Sequence, residues 1–406
     1  MQNNFNLEQF IASTITMRAE SLFARDLADN RERLEQAIAG ARVLVIGGAG
    51  TIGSSFIKAL LPYRPGALYV VDYSENGLTE LTRDLRSTQG LFVPEQYKTW
   101  PLDFGGEVFG KLWRREGPFD IVANFAAHKH VRSEKDPYAI EAMIRNNVFS
   151  NRRLLHLLAE QPPRHFFCVS TDKAANPANV MGATKKLMEE LLLSWSVALP
   201  CTTARFANVA FSNGSLPAGF LQRLAKGQPL SAPLDVQRYF VSPEESGQLC
   251  LLCCVLGQAG EIFFPKLAAS QMKRFSDIAE DLLHALGYEV RHCASEEEAK
   301  ALAASRQPGD KFWPVYFFSS STDGEKPYEE FFTEGEKTDT GRFKAIGVIQ
   351  PTTLPDRQQI EDKLQQLAAL FTEGKIPEKS AIVGLLKELV PGYQPVLTGT
   401  GLDSRM

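Results

Sequence analysis

The sequence predicts an α/β protein in which a doubly wound parallel sheet is followed by a smaller, mixed α/β C-terminal region. Three observations carry that expectation. Between residues 41 and 208, short apolar segments alternate with amphipathic segments of helical period, the pattern of buried strands joined by crossover helices. The first apolar segment runs straight into a glycine-rich turn and a helix. Beyond about Asn208 the alternation fades into loops and separate helices.

In chain order, residues 7–39 read as polar and helical, with Leu22, Phe23, Leu27, Leu34 and Ile38 spaced to pack on the body of the protein. Strands are expected at 41–47, 67–72, 97–102, 119–125, 165–170 and 201–206, separated by helices at 53–61, 76–86, 137–159 and 179–198. Further helices are expected at 217–226, 243–256, 275–286, 296–304, 356–371 and 379–389. The chain then divides into a helical extension (1–40), a sheet domain (41–208), a ligand-binding region (209–345) and a C-terminal helical extension (346–406). The third part is expected to close over the C-terminal edge of the sheet, where such folds bind ligands. The tail from Leu397 to Met406 shows no legible chemistry; docking on a neighbouring subunit is the role left for it.

The 406 residues are 44% hydrophobic and 23% charged, with a formal net charge of −4, so no basic surplus points to nucleic acid. A local basic cluster can still hold an anionic substrate. No apolar run approaches the ~20 residues of a membrane span, and the first forty residues lack a signal peptide's apolar core and cleavage site. Cys168, Cys201, Cys250, Cys253, Cys254 and Cys293 include no second pair at metal spacing. Buried reduced thiols and no metal are therefore expected. A soluble, cytoplasmic protein follows.

Val43-Leu-Val-Ile-Gly-Gly-Ala-Gly-Thr-Ile-Gly53 is an apolar strand entering a glycine turn. Gly48, Gly50 and Gly53 satisfy the dinucleotide fingerprint, and Gly47, Gly50 and Gly53 its wider form. The glycines let the backbone approach a pyrophosphate at a helix N-terminus, where amides and the helix dipole favour negative charge. Thr51, Ile52 and Ala126 belong to the same expected cradle. Asp72 ends the second strand nineteen residues after Gly53, the place of the acid that accepts ribose hydroxyls in a Rossmann fold. Its charge would repel a 2′-phosphate, which favours NAD over NADP. Asp103 ends the third strand and either meets the adenine or caps a helix.

The fifth strand ends in Cys168-Val-Ser-Thr-Asp-Lys-Ala174, and Met181-Gly-Ala-Thr-Lys185 opens the next helix. Met181 and Lys185 stand four apart and face the same way. Short-chain dehydrogenases carry Tyr-x-x-x-Lys there; here the tyrosine is replaced by methionine. Asn124-Phe-Ala-Ala-His-Lys-His-Val131, Ser170-Thr-Asp-Lys-Ala174, Asn179-Val-Met-Gly-Ala-Thr-Lys185, Arg205-Phe-Ala-Asn-Val209, Arg238-Tyr-Phe240 and Gly324-Glu-Lys-Pro-Tyr-Glu-Glu330 follow in order. Over roughly residues 41–340 this series resembles the CapD-like polysaccharide-biosynthesis family of extended short-chain dehydrogenases, the UDP-N-acetylhexosamine 4,6-dehydratases.

The resemblance implies oxidation at the sugar's C4, elimination of water across C5 and C6, and return of the hydride to C6. It implies Asp172 as general acid and Lys173 as base, with Thr171 or Ser170 bonding the 4-hydroxyl and Lys185 holding the cofactor ribose. Bland alternatives exist: Asp172 as a helix cap, Lys173 and Lys185 as surface charges. Met181 departs from the commoner tyrosine, since a thioether cannot take the 4-hydroxyl proton, although some large family members share it. Lys129, Asn208, Arg238 and Glu325 are the expected substrate contacts, with Lys326 near the nucleotide; the loop at 322–328 departs from the family's usual opening. Asn147 matches a backbone-anchoring asparagine, and His128 and His130 read as structural. The resemblance also implies a homo-oligomer. A 4-epimerase or ketoreductase, or a non-catalytic nucleotide-binding homologue, are the competing readings.

Overall fold

The computed structural model describes residues 5–320, 326, 328–372, 374 and 376–395, without the side chains of 132 and 133. Its centre is a sheet built from β1 (Arg42–Ile46), β2 (Ala67–Asp72), β3 (Gln96–Pro101), β4 (Ile121–Asn124), β5 (His165–Val169) and β6 (Cys201–Ala204). The order is β3-β2-β1-β4-β5-β6, all parallel, the doubly wound Rossmann arrangement. Ile46 pairs with Asn124, and Asn124 with Cys168. The ends of β1, β4 and β5 therefore lie level, and whatever follows them converges on one edge.

Side chains alternate across each strand, so β1 feeds two cores. Val43 and Val45 join one cluster with Phe56 and Ile57 of the helix Thr51–Leu60 and Leu249 to Leu256 of the helix Pro243–Leu256. Leu44 and Ile46 join the other, with the helices Ser150–Glu160 and Val180–Ser194 and the C-terminal helices Arg357–Ala369 and Lys379–Leu389. Cys250, Cys253 and Cys254 are buried free thiols, and burial pushes each thiol's pKa up.

The sheet does not stop with β6. β8 (Ile262–Pro265) pairs parallel with β6, and β11 (Ile346–Ile349) and Thr338–Asp339 extend it antiparallel to nine strands among the described residues. Thus the stretch assigned to 209–345 contributes a helix and strands to the main sheet, and the boundary at 208 divides chain order rather than layers. The smaller lobe is a parallel three-stranded sheet, β9 (Glu289–His292), β10 (Phe312–Phe318) and β7 (Leu230–Pro233). It is backed by the helices Leu216–Ala225 and Phe275–Ala285, with Glu296–Ser305 against β10.

Three local expectations are corrected. Residues 7–39 form separate turns and short helices, Leu7–Phe10, Ile11–Ile15, Ala24–Asp29 and Arg31–Ile38, because Asn30 and Met17 interrupt the helical backbone. The helix expected over 137–159 is opened by a π turn at Arg145–Phe149. A helix at Glu107–Glu116, not anticipated, makes the crossover that parallel β3 and β4 require. The tail from Leu397 lies outside the described residues. Among those described, no helix is long and apolar enough to cross a membrane.

Candidate active site

The glycine turn is shaped by close approach. Gly47 has φ +74°, and a Cβ there would lie 2.5 Å from the Ala126 amide nitrogen. One on Gly53 would lie 2.3 Å from the Gly47 carbonyl, whereas Gly50 has nothing nearer than that oxygen at 3.5 Å. Two glycines thus close the loop on itself and the third leaves its outer side open. Gly50 caps the helix Thr51–Leu60 without a side-chain bond, so the first-turn amides are left for a ligand. Asp72 braces the turn: one carboxylate oxygen accepts from the Ala49 amide at 2.9 Å, the other from Ser74 at 2.9 Å. These residues fit a dinucleotide pyrophosphate and ribose. Asp103 is exposed and accepts from the Gly105 amide at 2.8 Å, bracing a turn; the expected helix cap is instead Gly106, three residues on. Ala126 donates to the Asn124 side chain at 3.0 Å, and Asn124 is buried against Asn151.

From this turn a cleft of about 460 Å³ opens between the sheet edge and the small lobe. Cavities of about 430 and 490 Å³ lie beside Arg306 and Arg18, so volume alone marks nothing; position on the strand ends does. Gly47, Gly50, Thr51, Ile52 and Gly53 line one side, and Ser170, Thr171, Asp172, Lys173, Met181, Lys185, Lys129 and Asn208 line the rest. Thr51 is touched from the small lobe, its hydroxyl accepting from the Asn213 amide at 3.0 Å.

The turn after β5 carries the charged groups. Asp172 is 4% exposed. Its Oδ1 accepts from the Thr171 hydroxyl at 2.9 Å, the Lys173 amide at 2.9 Å and the Lys173 ammonium at 3.1 Å. Hydroxyl, carboxylate and amine are therefore one linked unit. Met181 is buried at the start of the helix Val180–Ser194, whose first amides are capped by Asn179 and by Glu134. Lys185 donates to the Val169 carbonyl at 2.8 Å. Burial lowers its pKa, against the pull of Cys168 and Glu189. Lys129 is open to the cleft, yet the surrounding walls lower its pKa too. Asn147 does anchor the loop after β4, bonding both the amide and carbonyl of His128 at 2.9 Å.

Residues 43–351 match the family model described as polysaccharide biosynthesis protein. The chain belongs to this CapD-like polysaccharide biosynthesis family. Among curated relatives, it is 32% identical to an uncharacterized membrane protein of Methanocaldococcus jannaschii over 86% of this chain and 95% of that one. It is 28% identical to the capsular polysaccharide biosynthesis protein CapD of Staphylococcus aureus over 78% of this chain, spanning only 52% of CapD. With the inverting UDP-N-acetylglucosamine 4,6-dehydratase of Campylobacter jejuni it shares 26% over 62% of this chain and 73% of the other. UDP-glucose 4-epimerases of Rickettsia also match, at 29% over 54% of this chain and 66% of the Rickettsia canadensis enzyme. The structure of Pen from Bacillus thuringiensis superposes with a TM-score of 0.63 over 79% of this chain and 90% of that one, at 22% identity; that likeness shows the fold.

In this member of the family several expected site residues sit differently. Ser170 lines the cleft, but its hydroxyl donates to buried Glu189 at 2.6 Å, which leaves Thr171 as the hydroxyl coupled to Asp172. Arg238 is 5% exposed and is not among the residues lining the cleft; it donates to the Gln237 and Lys326 carbonyls at 2.8 and 2.9 Å. Glu325 lies outside the described residues. Two features were not anticipated. Glu189, Arg205 and Glu336 form a buried ion network, Arg205 pairing each carboxylate through two bonds of 2.8–3.0 Å. Arg205 also donates to the Phe331 carbonyl at 2.9 Å, tying the segment after 328 to the end of β6. The second feature is Glu329, whose buried carboxylate stands 3.7 Å from the Lys173 ammonium. An acid five residues past a glycine, on a loop far along the chain, gives no local signal of such a neighbour.

Proposed function

We propose that the protein is a nucleotide-sugar 4,6-dehydratase, acting on a UDP-N-acetylhexosamine such as UDP-N-acetylglucosamine with NAD as its cofactor. The observation that carries this reading is the linked Thr171–Asp172–Lys173 unit in a cleft shared with the glycine turn. Kinship with a named dehydratase supports it. Gly47, Gly50, Thr51, Ile52 and Gly53 would hold the pyrophosphate and Asp72 the adenine-side ribose, with Lys185 at the nicotinamide-side ribose. The bound nicotinamide supplies a hydride acceptor for C4 and a donor for C6.

The protein's own groups handle the protons. Met181 cannot accept one, so the 4-hydroxyl proton passes through the Thr171 hydroxyl to Asp172. Asp172, now protonated, gives that proton to the departing 6-hydroxyl, which leaves as water. Lys173, as the neutral amine, removes H5, made acidic by the C4 ketone, and the ammonium so formed returns a proton to C5 as C6 is reduced. One water is lost and both side chains end as they began. Lys129 and Asn208 are placed in this reading at the sugar diphosphate. We also propose a cytoplasmic location, consistent with five buried free thiols, and a homo-oligomer.

The test is incubation with UDP-N-acetylglucosamine in deuterated water, followed by mass analysis. Loss of one water with deuterium at C5 is expected. An isomer of unchanged mass identifies an epimerase, and bound NAD with no conversion of any UDP-N-acetylhexosamine identifies a non-catalytic homologue; either result removes the dehydratase.

A further inference from the structure

Glu329 has no role in the proton steps above, yet its position is specific. Its side chain is 3% exposed, with Oε1 3.7 Å from the Lys173 ammonium and 3.9 Å from the Arg238 guanidinium. It makes no hydrogen bond of 3.5 Å or less among the described residues. A buried carboxylate left without such bonds is costly, and ion pairs of this length do not offset the cost fully. Burial accordingly holds its carboxyl above the usual range, even though Lys173, Arg238 and Lys326 pull the other way.

Its placement is enforced from several sides. Glu330 accepts from the Asn176 side chain at 2.8 Å, Phe331 accepts from Arg205 at 2.9 Å, and Lys326 is bound through its carbonyl to Arg238 and through its ammonium to the Asn176 carbonyl. The segment is thus fastened across the turn that bears Asp172 and Lys173. The charged groups facing Glu329 are Lys173, Asp172, Arg238 and Lys326; those ion-paired with Lys173 are Asp172 and Glu329.

We propose that Glu329 is a positioning residue for Lys173, its carboxylate standing beside the ammonium that Asp172 also holds, so that the amine is fixed at the wall of the cleft. This rests on the reading of Lys173 as the base of the elimination. A second carboxylate beside an amine favours its protonated form, and a stronger base removes a carbon-bound proton faster once it is free.

The inference is tested without relying on turnover. Lys173 in the full-length protein is acetylated with trace acetic anhydride across a pH series, and the modified peptide is quantified by mass spectrometry. Glu329→Gln removes the negative charge with little change of shape. The labelling midpoint of Lys173 should fall by about one pH unit, while that of Lys129 stays. Glu329→Asp, which keeps the charge but withdraws it, should give an intermediate midpoint and serves if the glutamine variant does not fold. An unchanged midpoint in a folded variant overturns the proposal. Where dehydration is observed, the acidic limb of kcat in Glu329→Gln should move to lower pH and its plateau should drop; a merely structural role would leave the limb in place. A protein without dehydratase activity but with a shifted midpoint refutes the function and leaves the role of Glu329 standing.

Discussion

At the scale of single residues, the site turns on which oxygen each polar side chain has already engaged. Thr171 and Lys173 both donate to Oδ1 of Asp172, whereas Ser170, one residue earlier and just past the end of β5, is spent on Glu189. Lys173→Ala should lower dehydration by about 10²–10⁴-fold, the usual weight of a general base. The cofactor should remain bound, as measured by NAD content after gel filtration. Loss of NAD along with activity would move Lys173 from chemistry to the cofactor cradle. Thr171, Asp172 and Lys173 were legible in the sequence as a contiguous polar run after the fifth strand, to which the family resemblance gave roles. The division of labour between Ser170 and Thr171 was not, since it depends on Glu189, nineteen residues on.

At the scale of elements, two devices hold the cleft open in one shape. The first is the glycine turn. Gly53→Ala would press a methyl group onto the Gly47 carbonyl, which is backbone and cannot swing aside. Such overpacking costs about 1–3 kcal/mol, so cofactor affinity should fall roughly tenfold or more in a calorimetric titration. The second is the Glu189–Arg205–Glu336 network, which links the helix Val180–Ser194, the end of β6 and the segment carrying Glu329. Burial alone would raise the pKa of Glu189, but Arg205 more than reverses it, and Glu336 is likewise lowered. A carboxylate held below its unfolded value stabilises the fold above that value and ceases to as pH falls through the folded one. Stability should therefore be retained above pH ~4.5 and decline below it. Glu189→Gln should cost about 3–5 kcal/mol at neutral pH, because it leaves Arg205 buried with half its partners, and chemical denaturation would report it. A loss within 0.5 kcal/mol would show the network to be ornamental.

At the scale of the whole molecule, residues 18–38 are fastened to the body of the protein. Phe23, Leu34 and Ile38 are fully buried in one core, and Arg18 forms two 2.7 Å bonds to Glu245. Asp26 accepts from the amides of Lys344 and Ala345 at 2.6 and 2.8 Å, so the first segment holds the start of β11. Asp26→Ala should destabilise by about 2–3 kcal/mol, leaving at least one buried amide without its acceptor. A melting curve identical to the parent's would refute that linkage. The sequence showed that these early residues pack on the body, through their apolar spacing. It did not show what they pack on.

By itself the sequence determined what is local. Strands β1 to β6, the glycine turn and the acid ending β2 are contiguous patterns that hydrophobic period and turn chemistry write directly into residue order, while the Thr171–Asp172–Lys173 run is contiguous but was singled out by the family resemblance. The tertiary structure alone decided what is paired at a distance. β8 and β11 join the main sheet, Arg238 bonds the Lys326 carbonyl and stands 3.9 Å from Glu329, and Glu329 reaches Lys173 across 156 residues of chain. Those contacts arise because level strand ends and two shared cores bring remote loops to one edge. No spacing along the chain encodes which remote carboxylate arrives beside which amine.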